Sequence, residues 1–545
     1  METRYRPVQH EAEIEGKLER KPSLKLPPAN SSPEWREAET AICNALEDVL
    51  WPTGSRSKLK SLPINTLVQH YEGVVYDVLL RMFGTHEEPV KEHPSRDKPD
   101  RPSKRETKIK AEKKKLRDLH KAVKQGKVEL TEKEAKHNSR RFHFLLKQHS
   151  QVQKARLHKK KMRETAAQQR KFRQDPWKFG TEIFKPRNCA KPTFTATEAE
   201  KHFVDTYSDA AGGTEYKAPP GCTRPPLPKF SFCVAPLEKR KLLQAVAKKR
   251  NKNAPGMNGI PFLVYKKCPK VLDVLLLIMN RVWAEKIIPE SWQRAVIVLL
   301  AKSEVLDDPK EFWPIALLNA EGRLMLTLMN WRLSEYMLKN KYIDTTVQKG
   351  FIEKMAGCIE HSETLHHALL DARENKRNIC LSWLDLANAY GSVRHSMILF
   401  TLEWYHVPHE FAEVIYQYYE GLCATVLVGN EFTCWFRFQI GVFQGCTLSM
   451  MLFDTAFNTV FQRVSALLSD FGYKYSDSEV VKLILGYADD ICNMTSLASH
   501  NQAVVNVIQE WLEWSQTMKA KPKKCESTAM IGGKPVDPKL IIAGS

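Results

Sequence analysis

The chain has 545 residues, enough for roughly two or three domains with a full hydrophobic core, so its size permits an enzyme. Its 83 Lys and Arg residues exceed its 63 Asp and Glu residues, which gives a formal net charge of +20. No apolar run is long enough to cross a bilayer, and none of the 12 cysteines has zinc-finger spacing. We therefore expect no membrane contact and no structural zinc, and the isolated cysteines favour an intracellular protein.

The N-terminal part of the chain shows two kinds of pattern. Residues 1–34 are polar, contain prolines and lack periodicity, so we expect them to be disordered. Residues 35–104 are predicted to form a small helical region followed by a linker. The helical part is indicated by Trp35, Ile42 and Leu46, which recur at helical spacing before a stretch rich in Pro and Lys.

The excess of positive charge is concentrated in one segment. Residues 101–170 hold 24 Lys or Arg against 7 Asp or Glu, which leaves a net charge of only +3 for the remainder. Because Gly and Pro are scarce there, we predict that residues 105–175 are helical and bind the phosphate backbone of a nucleic acid. The candidate contacts are Lys113, Lys114, Lys115, Lys159, Lys160 and Lys161. A solvated helix surface explains the charge equally well, and so does a nuclear-import signal, which favours a nuclear or nucleocytoplasmic location.

The remaining sequence divides near residue 237. Residues 176–236 are rich in Pro and Gly and are predicted to be a connector, whereas residues 237–545 are predicted to form an α+β domain on an antiparallel sheet. Apolar residues recur with helical spacing at 237–250, 270–286, 322–340, 361–376, 454–470 and 500–518. Strand-like runs lie between them at 294–300, 379–385, 424–440 and 481–494.

Two of the strand-like runs lead into carboxylates. Asp489 and Asp490 interrupt the apolar run 481–494, which predicts a hairpin turn, and Asp385 ends the run that begins at Ile379. Carboxylates that converge from neighbouring strands repel each other unless a cation lies between them. The pattern therefore predicts two Mg²⁺ ions, with Mn²⁺ as a substitute, and the two-metal chemistry of a polymerase. Taken alone the signal is weak, because paired acids at a strand tip are also ordinary turn formers.

Longer motifs in this region resemble those of reverse transcriptases from non-LTR retrotransposons. Besides the spacing of Asp385 and Tyr390, the matching segments are 253–260, 289–292, 314–319, 348–351, 441–449 and 487–490. The resemblance implies the fingers and palm of a right-hand polymerase, here with an incomplete thumb. It also implies an RNA-directed DNA polymerase, with an RNA template, a DNA primer and dNTPs as partners.

The resemblance also implies roles for single residues. Asp385 and Asp489 would coordinate both metal ions, with the backbone carbonyl of Leu386 as a further ligand, and Asp490 would be a supporting acid near the primer end. Tyr390 would lie beneath the incoming sugar and exclude a 2′-hydroxyl. The other implied contacts are Gln444 and Gly445 with the nascent base pair, and Tyr487 and Ala488 with the primer.

Several positions depart from the family pattern. Asn258 stands where the family has Asp, and Trp313 replaces an arginine that binds the triphosphate. Because tryptophan lacks the charge and the fork of donors, Lys302 and Arg323 are the candidates to compensate as nucleotide-binding residues. For Lys302 a solvated strand end is an equal alternative. Lys524 could protonate the pyrophosphate, but it is better explained as basic surface. The family pattern is also not matched at Gly391, Thr447 and Met450, but none of these residues is an implied metal ligand.

These patterns leave two hypotheses for the function. The intact acids favour an active RNA-directed DNA polymerase. The departures at Asn258 and Trp313, together with the incomplete thumb, favour a truncated or domesticated retroelement protein that binds RNA through residues 101–170 without polymerising. An RNA-templated RNA polymerase conflicts with the bulky Tyr390, which should reject ribonucleotides.

Overall fold

The computed structural model describes residues 20–51, 61–86, 104–174 and 192–542, apart from 210, 211, 213, 214, 252, 303, 304, 354 and 356. The chain forms two compact units. One is Glu88–Cys189, and the other combines Met1–Glu87 with Ala190–Ser545. None of the described helices has a stretch that is long and apolar enough to cross a membrane.

The larger unit begins with two helices, α1 (Ser32–Leu50) and α2 (Ile64–Phe83). Trp35 lies on the buried face of α1, as its helical spacing predicted. The chain is already ordered before α1, because Leu24 forms a β-bridge with Thr85 and the Arg20 guanidinium donates to the carbonyl of Pro255 at 2.8 Å. The expected disorder up to residue 34 therefore does not hold for residues 20–34.

The smaller unit contains two basic helices, α3 (Lys104–Lys124) and α4 (Glu132–Gln174). Its helical character agrees with the prediction for residues 105–175. Arg141 of α4 binds Glu112 of α3 at 2.7 Å, and Ile109 and Leu145 are buried. Lys113, Lys114 and Lys115 lie on α3. Lys159, Lys160 and Lys161 belong to α4, but their side chains lie outside the described part of the structure.

The other helices belong to the larger unit. They are α5 (Ala196–Tyr207), α6 (Lys239–Lys248), α7 (Phe262–Lys267), α8 (Pro269–Glu285), α9 (Glu290–Gln293), α10 (Ala320–Lys339), α11 (Cys358–Glu374), α12 (Ala389–Ser392), α13 (His395–Trp404), α14 (His409–Glu420), α15 (Thr447–Leu468) and α16 (Ala498–Ser515). Every helical period predicted beyond residue 237 falls on one of these helices. Beyond residue 237 the sequence did not predict the short helices α7, α9 and α12, nor the longer α13 and α14.

Helix α5 lies in the stretch expected to be a connector. A capping box explains its start, since the Thr195 side chain accepts from the Glu198 backbone and Glu198 accepts from the Thr195 backbone. At its end Tyr207 stacks on Phe438, with ring centroids 3.9 Å apart. Part of residues 176–236 is thus packed structure, while residues 215–236 form neither helix nor strand.

The described strands form two main sheets and a small hairpin. They are β1 (Arg294–Ala301), β2 (Phe312–Leu317), β3 (Ile379–Leu384), β4 (Cys423–Val428), β5 (Glu431–Phe432), β6 (Phe436–Arg437), β7 (Tyr473–Lys474), β8 (Val481–Lys482), β9 (Ile484–Tyr487), β10 (Asp490–Thr495), β11 (Glu526–Ile531) and β12 (Lys534–Val536). The first sheet has the order β2-β1-β4-β5, and β6 also pairs with β4. The second has the order β12-β11-β3-β10-β9 and is antiparallel throughout. The mixed α+β architecture agrees with the expected fold class.

The N-terminal helices share their core with the predicted α+β domain. Both α1 and α2 pack against α8, and the Tyr71 hydroxyl donates to the carbonyl of Val271 at 3.2 Å. Helices α1 and α2 are therefore not an independent helical region, because their buried faces complete the core around α8.

Candidate active site

The second sheet brings the three predicted carboxylates to one edge. Leu384, the last residue of β3, pairs with Ile491 of β10, so Asp385 and Asp490 continue from this pair at the same end of neighbouring strands. Asp489 lies in the turn that joins β9 to β10. The expected convergence of the strand ends is therefore present in the fold.

The three carboxylates influence each other electrostatically. Burial raises the pKa of Asp489 to about 6, and the charges of Asp490 and Asp385 add to the rise. Burial also raises the pKa of Asp490, followed by the charge of Asp385, while Lys524 opposes the rise. The edge thus holds a negative potential that a bound cation would relieve.

The side chains at this edge fit a hard divalent cation by their chemistry. Carboxylate oxygens are the ligands that Mg²⁺ prefers, and it completes its coordination with water and phosphate. Within the described ranges, however, no three His, Cys, Asp or Glu residues are gathered as a ready-made metal shell. Two backbone hydrogen bonds flank Leu386: the Ala387 N–H donates to the Lys519 carbonyl, and the Lys521 N–H donates to the Asp385 carbonyl. Neither of them uses the Leu386 carbonyl. That carbonyl was the further ligand implied by the resemblance.

Lysines flank the acidic edge. Lys524 Nζ lies 3.8 Å from Asp385 Oδ2 and its side chain is 60% exposed, so the basic surface expected from the sequence extends to the acidic edge. Burial lowers the pKa of Lys302, Glu311 opposes this effect, and the charges of Lys521 and Lys524 lower it further. Lys302 Nζ itself donates to the Lys310 carbonyl at 2.7 Å, and its charged neighbours include Lys524, which lies beside Asp385.

A buried glutamine fixes the backbone of the acidic turn. Ala488 has a φ of 55°, an unusual conformation for a residue with a side chain. The Gln348 side chain holds it from both sides, accepting from the Ala488 N–H at 2.9 Å and donating to the Ala488 carbonyl at 3.0 Å. A Cβ on Gly350 would fall on the Ala488 backbone nitrogen. The sequence singled out residues 348–351 but gave them no role.

Tyr390 is held rigidly by neighbouring aromatic rings. It stacks on Phe453 with centroids 4.8 Å apart and an interplanar angle of 11°, and its edge meets Phe351 at 6.1 Å. Burial raises the pKa of the Tyr390 hydroxyl, and the charges of Asp454 and Asp489 add to the rise. The hydroxyl has no hydrogen-bond partner among the described residues. This rigid ring lies close to the acidic turn.

The loop with Gln444 and Gly445 docks on β2. The Ala316 N–H donates to the Gln444 carbonyl at 2.7 Å. Gly445 has a φ of 114°, and a Cβ there would lie only 2.7 Å from the Ala316 carbonyl oxygen, so the contact requires glycine. On the same strand Trp313 pairs with Leu300 and is 49% exposed. The position that departs from the family pattern is thus open to solvent.

Sequence reasoning missed Asp454 of α15. Its carboxyl group is fully buried, and neither oxygen has a hydrogen-bond partner in the described part of the chain. Burial raises its pKa well above the usual range, and the charge of Asp489 contributes. The available signal was a single acid among the apolar residues Leu452, Phe453 and Phe457 of this helix. A carboxyl group there is kept neutral while no cation is near.

Two further positions singled out in the sequence lie elsewhere. Asn258 is buried and donates to Glu321 at 2.9 Å, so it belongs to a polar network in the core. Arg323 lies over the Phe262 ring, 5.1 Å from its centroid. Its charged neighbour is Lys249, whereas the cations near Lys302 are Lys521 and Lys524. The two candidates to replace the missing arginine thus have different charged neighbours.

Comparison with known proteins gives consistent matches. Residues 301–536 match the family model described as reverse transcriptase (RNA-dependent DNA polymerase). The chain is 25% identical over 297 residues to a retrovirus-related Pol polyprotein from the type-1 retrotransposable element R2 of Nasonia vitripennis, covering 54% of this chain and 27% of the relative. It is 24% identical over 260 residues to the transposon TX1 uncharacterized 149 kDa protein of Xenopus laevis, covering 47% of this chain and 19% of the relative.

Two other matches each cover slightly less than half of this chain. An R2 Pol polyprotein of Popillia japonica is 24% identical over 255 residues, covering 46% of this chain and 34% of the relative. The structure of apo telomerase from Candida tropicalis, truncated from its C-terminal domain, covers 49% of this chain and 63% of its own chain at 11% identity, with a TM-score of 0.34. The chain therefore spans between a fifth and a third of the length of the curated relatives it matches.

Proposed function

Since the chain carries a reverse transcriptase domain of the non-LTR retrotransposon family, we propose that it is an RNA-directed DNA polymerase. It would add deoxynucleotides to the 3′ end of a primer on an RNA template. The observation that carries the proposal is the meeting of Asp385 with Asp489 and Asp490 at one sheet edge inside the matched region. A nuclear or nucleocytoplasmic location is part of the proposal, because the substrates of such an enzyme are nucleic acids.

The acidic edge would hold two Mg²⁺ ions, or Mn²⁺ in their place, through Asp385, Asp489 and the Leu386 carbonyl. When bound, these ions stabilise charge on the attacking 3′ oxygen and on the leaving pyrophosphate. Asp490 would keep the edge acidic near the primer end. Lys524 would neutralise the phosphates next to Asp385, supported by its position 3.8 Å from that carboxylate.

The same geometry supports a nucleotide pocket. Tyr390 would lie beneath the incoming sugar and reject a 2′-hydroxyl, because its stacking on Phe453 prevents it from moving aside. Gln444 and Gly445 would line the nascent base pair, and Lys302 would bind the triphosphate. The Tyr487 and Ala488 backbone would meet the primer, with Ala488 fixed by its two hydrogen bonds to the buried glutamine.

In this proposal the antiparallel sheet of β3 and β9 to β12 is the palm, and the β1–β2 hairpin with its neighbouring helices forms the fingers. The basic helices α3 and α4 would grip template RNA through electrostatic contacts with phosphates. Lys113, Lys114, Lys115, Lys159, Lys160 and Lys161 are the proposed contacts. Deleting residues 104–174 should then weaken RNA binding and flatten its dependence on salt, while unchanged binding would reject this role.

A primer-extension assay tests the polymerase proposal. The full chain is given a primed RNA template and dNTPs, with and without Mg²⁺. Asp489→Asn should reduce incorporation by about 100-fold or more, because it removes one charge that holds the cations. Asp477→Asn, which makes the same chemical change at an exposed position, is the matched control and should leave incorporation unchanged. Equal activity of Asp489→Asn and the wild-type chain would refute the assignment.

A second function remains in competition, that of an RNA-binding protein which no longer polymerises. It is favoured by Trp313, an exposed tryptophan where the family pattern has a triphosphate-binding arginine. Single-turnover extension at high dNTP concentration separates the two functions, because weak nucleotide binding is overcome by mass action. Measurable product would reject the binding-only function, and its absence together with tight RNA binding would support it.

A further inference from the structure

Two cations meet where α10 contacts the start of α15. Lys249, the residue that follows α6, donates from Nζ to the Thr327 hydroxyl at 2.9 Å. Arg323 precedes Thr327 by one helical turn on α10. The Thr327 hydroxyl lies 2.9 Å from the hydroxyl of Thr447, the first residue of α15. Lys249 and Arg323 are therefore held next to the segment that continues from the loop with Gln444.

Their positive charge is not balanced by acids. Among the described residues, neither Lys249 nor Arg323 forms a salt bridge with a carboxylate, and the buried Nε of Arg323 has no hydrogen-bond partner. Burial lowers the pKa of Lys249 to about 8, and the charge of Arg323 contributes. Two partly buried like charges destabilise each other, so the free energy of the site falls when an anion binds.

The start of α15 adds to this positive potential. The helix has 22 residues, and its N-cap residue Cys446 makes no capping hydrogen bond with its side chain. The N–H groups of the first turn of a long helix carry partial positive charge and favour phosphate groups. The Cys446 thiol affects the pKa of both Lys249 and Arg323, so both cations lie close to this helix end.

Packing against aromatic rings explains how the two cations are held but not what balances their charge. Arg323 and Lys249 both lie over Phe262, at 5.1 and 5.7 Å from its centroid. The neighbouring Lys248 differs, because it forms a salt bridge with Glu353 at 2.8 Å. Within the described residues, Lys248 is thus neutralised by a carboxylate, and Lys249 is not.

We propose that Lys249 and Arg323, with the N-terminus of α15, form a phosphate-binding site next to the loop with Gln444 and Gly445. The proposal deepens the proposed function and rests on it for the identity of the ligand, a nucleotide or a polynucleotide. The phosphate belongs either to the nucleic-acid backbone or to the triphosphate of the incoming nucleotide. Both sources share the chemistry that the two cations recognise.

Binding measurements without catalysis test the site. A fluorescently labelled primer on an RNA template is titrated with full-length chain, and its anisotropy gives Kd at several salt concentrations. If the phosphate belongs to the nucleic-acid backbone, Lys249→Gln and Arg323→Gln should each raise Kd about ten-fold and reduce the log–log salt slope by roughly 1. Lys248→Gln removes the same charge one residue away and is the matched control, with little expected change.

A second arm distinguishes the two phosphate sources. Equilibrium dialysis of radiolabelled dATP against the complex of chain and primed template gives the nucleotide affinity. If Lys249→Gln weakens dATP binding about ten-fold and leaves the Kd of the template unchanged, the phosphate is that of the nucleotide. If neither affinity differs from that of Lys248→Gln, the site does not exist. Lys249→Arg should retain the affinity, because it keeps the charge at that position.

These measurements also separate this inference from the polymerase proposal. A wild-type chain that binds but never extends the primer would reject the polymerase activity, yet the difference between Lys249→Gln and Lys248→Gln in affinity for the primed template or for dATP would still stand. Circular dichroism of each variant shows whether it folds, and Arg323→Gln provides an independent test if Lys249→Gln does not. An extending wild-type chain with unaltered variants would reject the phosphate site alone.

Discussion

A pair of buried carboxylates makes the stability of the larger unit depend on pH. Glu72 of α2 accepts from the Trp292 indole at 3.2 Å and from the Asn319 amide at 3.4 Å. Glu321 accepts from the Tyr265 hydroxyl, and both glutamates are buried. Burial raises the pKa of Glu72 to about 8, and the charge of Glu321 contributes. The folded chain therefore favours the protonated form of this pair.

The sign of the effect follows from linkage between protonation and folding. Because the pKa of Glu72 is higher in the folded chain than the ordinary value of 4.5, folded chains hold more protons than unfolded chains between these two values. The stabilisation is complete below about pH 4.5 and is lost as pH rises through about 8. The free energy of unfolding should fall by roughly 1 kcal/mol per pH unit in this window, a few kcal/mol in all.

Glu72→Gln tests this reasoning, because glutamine keeps an acceptor oxygen for the Trp292 indole and removes the titration. Urea unfolding at pH values from about 5 to 9 is followed by tryptophan fluorescence. All but one of the 12 tryptophans belong to the larger unit, so the signal reports its unfolding. We expect the variant to lose less stability than the wild-type chain as pH rises, and to be the more stable protein above about pH 8.

The matched control is Glu37→Gln, which makes the same change at an exposed position of α1. It should follow the wild-type dependence on pH. Identical slopes of unfolding free energy against pH for Glu72→Gln and the wild-type chain would refute the linkage, and so would a steeper slope in the variant.

Three further predictions concern the candidate active site. Trp313→Arg should lower the KM for dNTPs about ten-fold, since arginine supplies a paired donor for phosphate, and steady-state extension measures it. Tyr390→Val should raise the ratio of ribonucleotide to deoxynucleotide incorporation, and it should cost about 3 kcal/mol of urea-unfolding free energy because stacking on Phe453 is lost. Gly350→Ala should abolish extension while far-UV circular dichroism stays unchanged, because its Cβ displaces only the turn at Ala488.

Local patterns were enough to find the acidic edge. The runs that became β3 and β10 are apolar and lead to acids, and such a pattern depends only on neighbouring residues. Helix α16 was recognised for a similar reason, because Val504, Ile508 and Trp511 recur with helical spacing on its buried face. Helix α13 was missed because its sequence, HSMILFTLEW, is apolar on most sides, so it shows no amphipathic period.

Long-range contacts explain what the sequence did not reveal. The network around Glu72 joins residues more than 200 positions apart, and no local pattern reports such a contact. It also gives a reason for Asn258, which donates its amide to Glu321 at 2.9 Å. An aspartate at that position would place a third carboxylate beside two buried glutamates, a like-charge contact that the amide avoids. The network around Glu72 and Glu321 thus accounts both for the packing of α2 against the core and for the asparagine at position 258.

The two main departures from the family pattern therefore differ in what they imply for activity. Asn258 is buried in a network that holds α2 against the rest of the core, so it bears on stability rather than on nucleotide binding. Trp313 is exposed on the strand that receives the loop with Gln444, where a change of charge would act on the proposed nucleotide pocket. Lys302 has Lys521 and Lys524 as charged neighbours, and Lys524 lies 3.8 Å from Asp385. The choice between a polymerase and a binding protein thus depends on whether this lysine replaces the arginine, and Lys302→Gln in the background of Trp313→Arg measures that overlap. If Lys302→Gln lowers dNTP affinity less in the Trp313→Arg background than in the wild-type background, the lysine binds the triphosphate in place of the arginine. Equal losses in the two backgrounds mean that it does not.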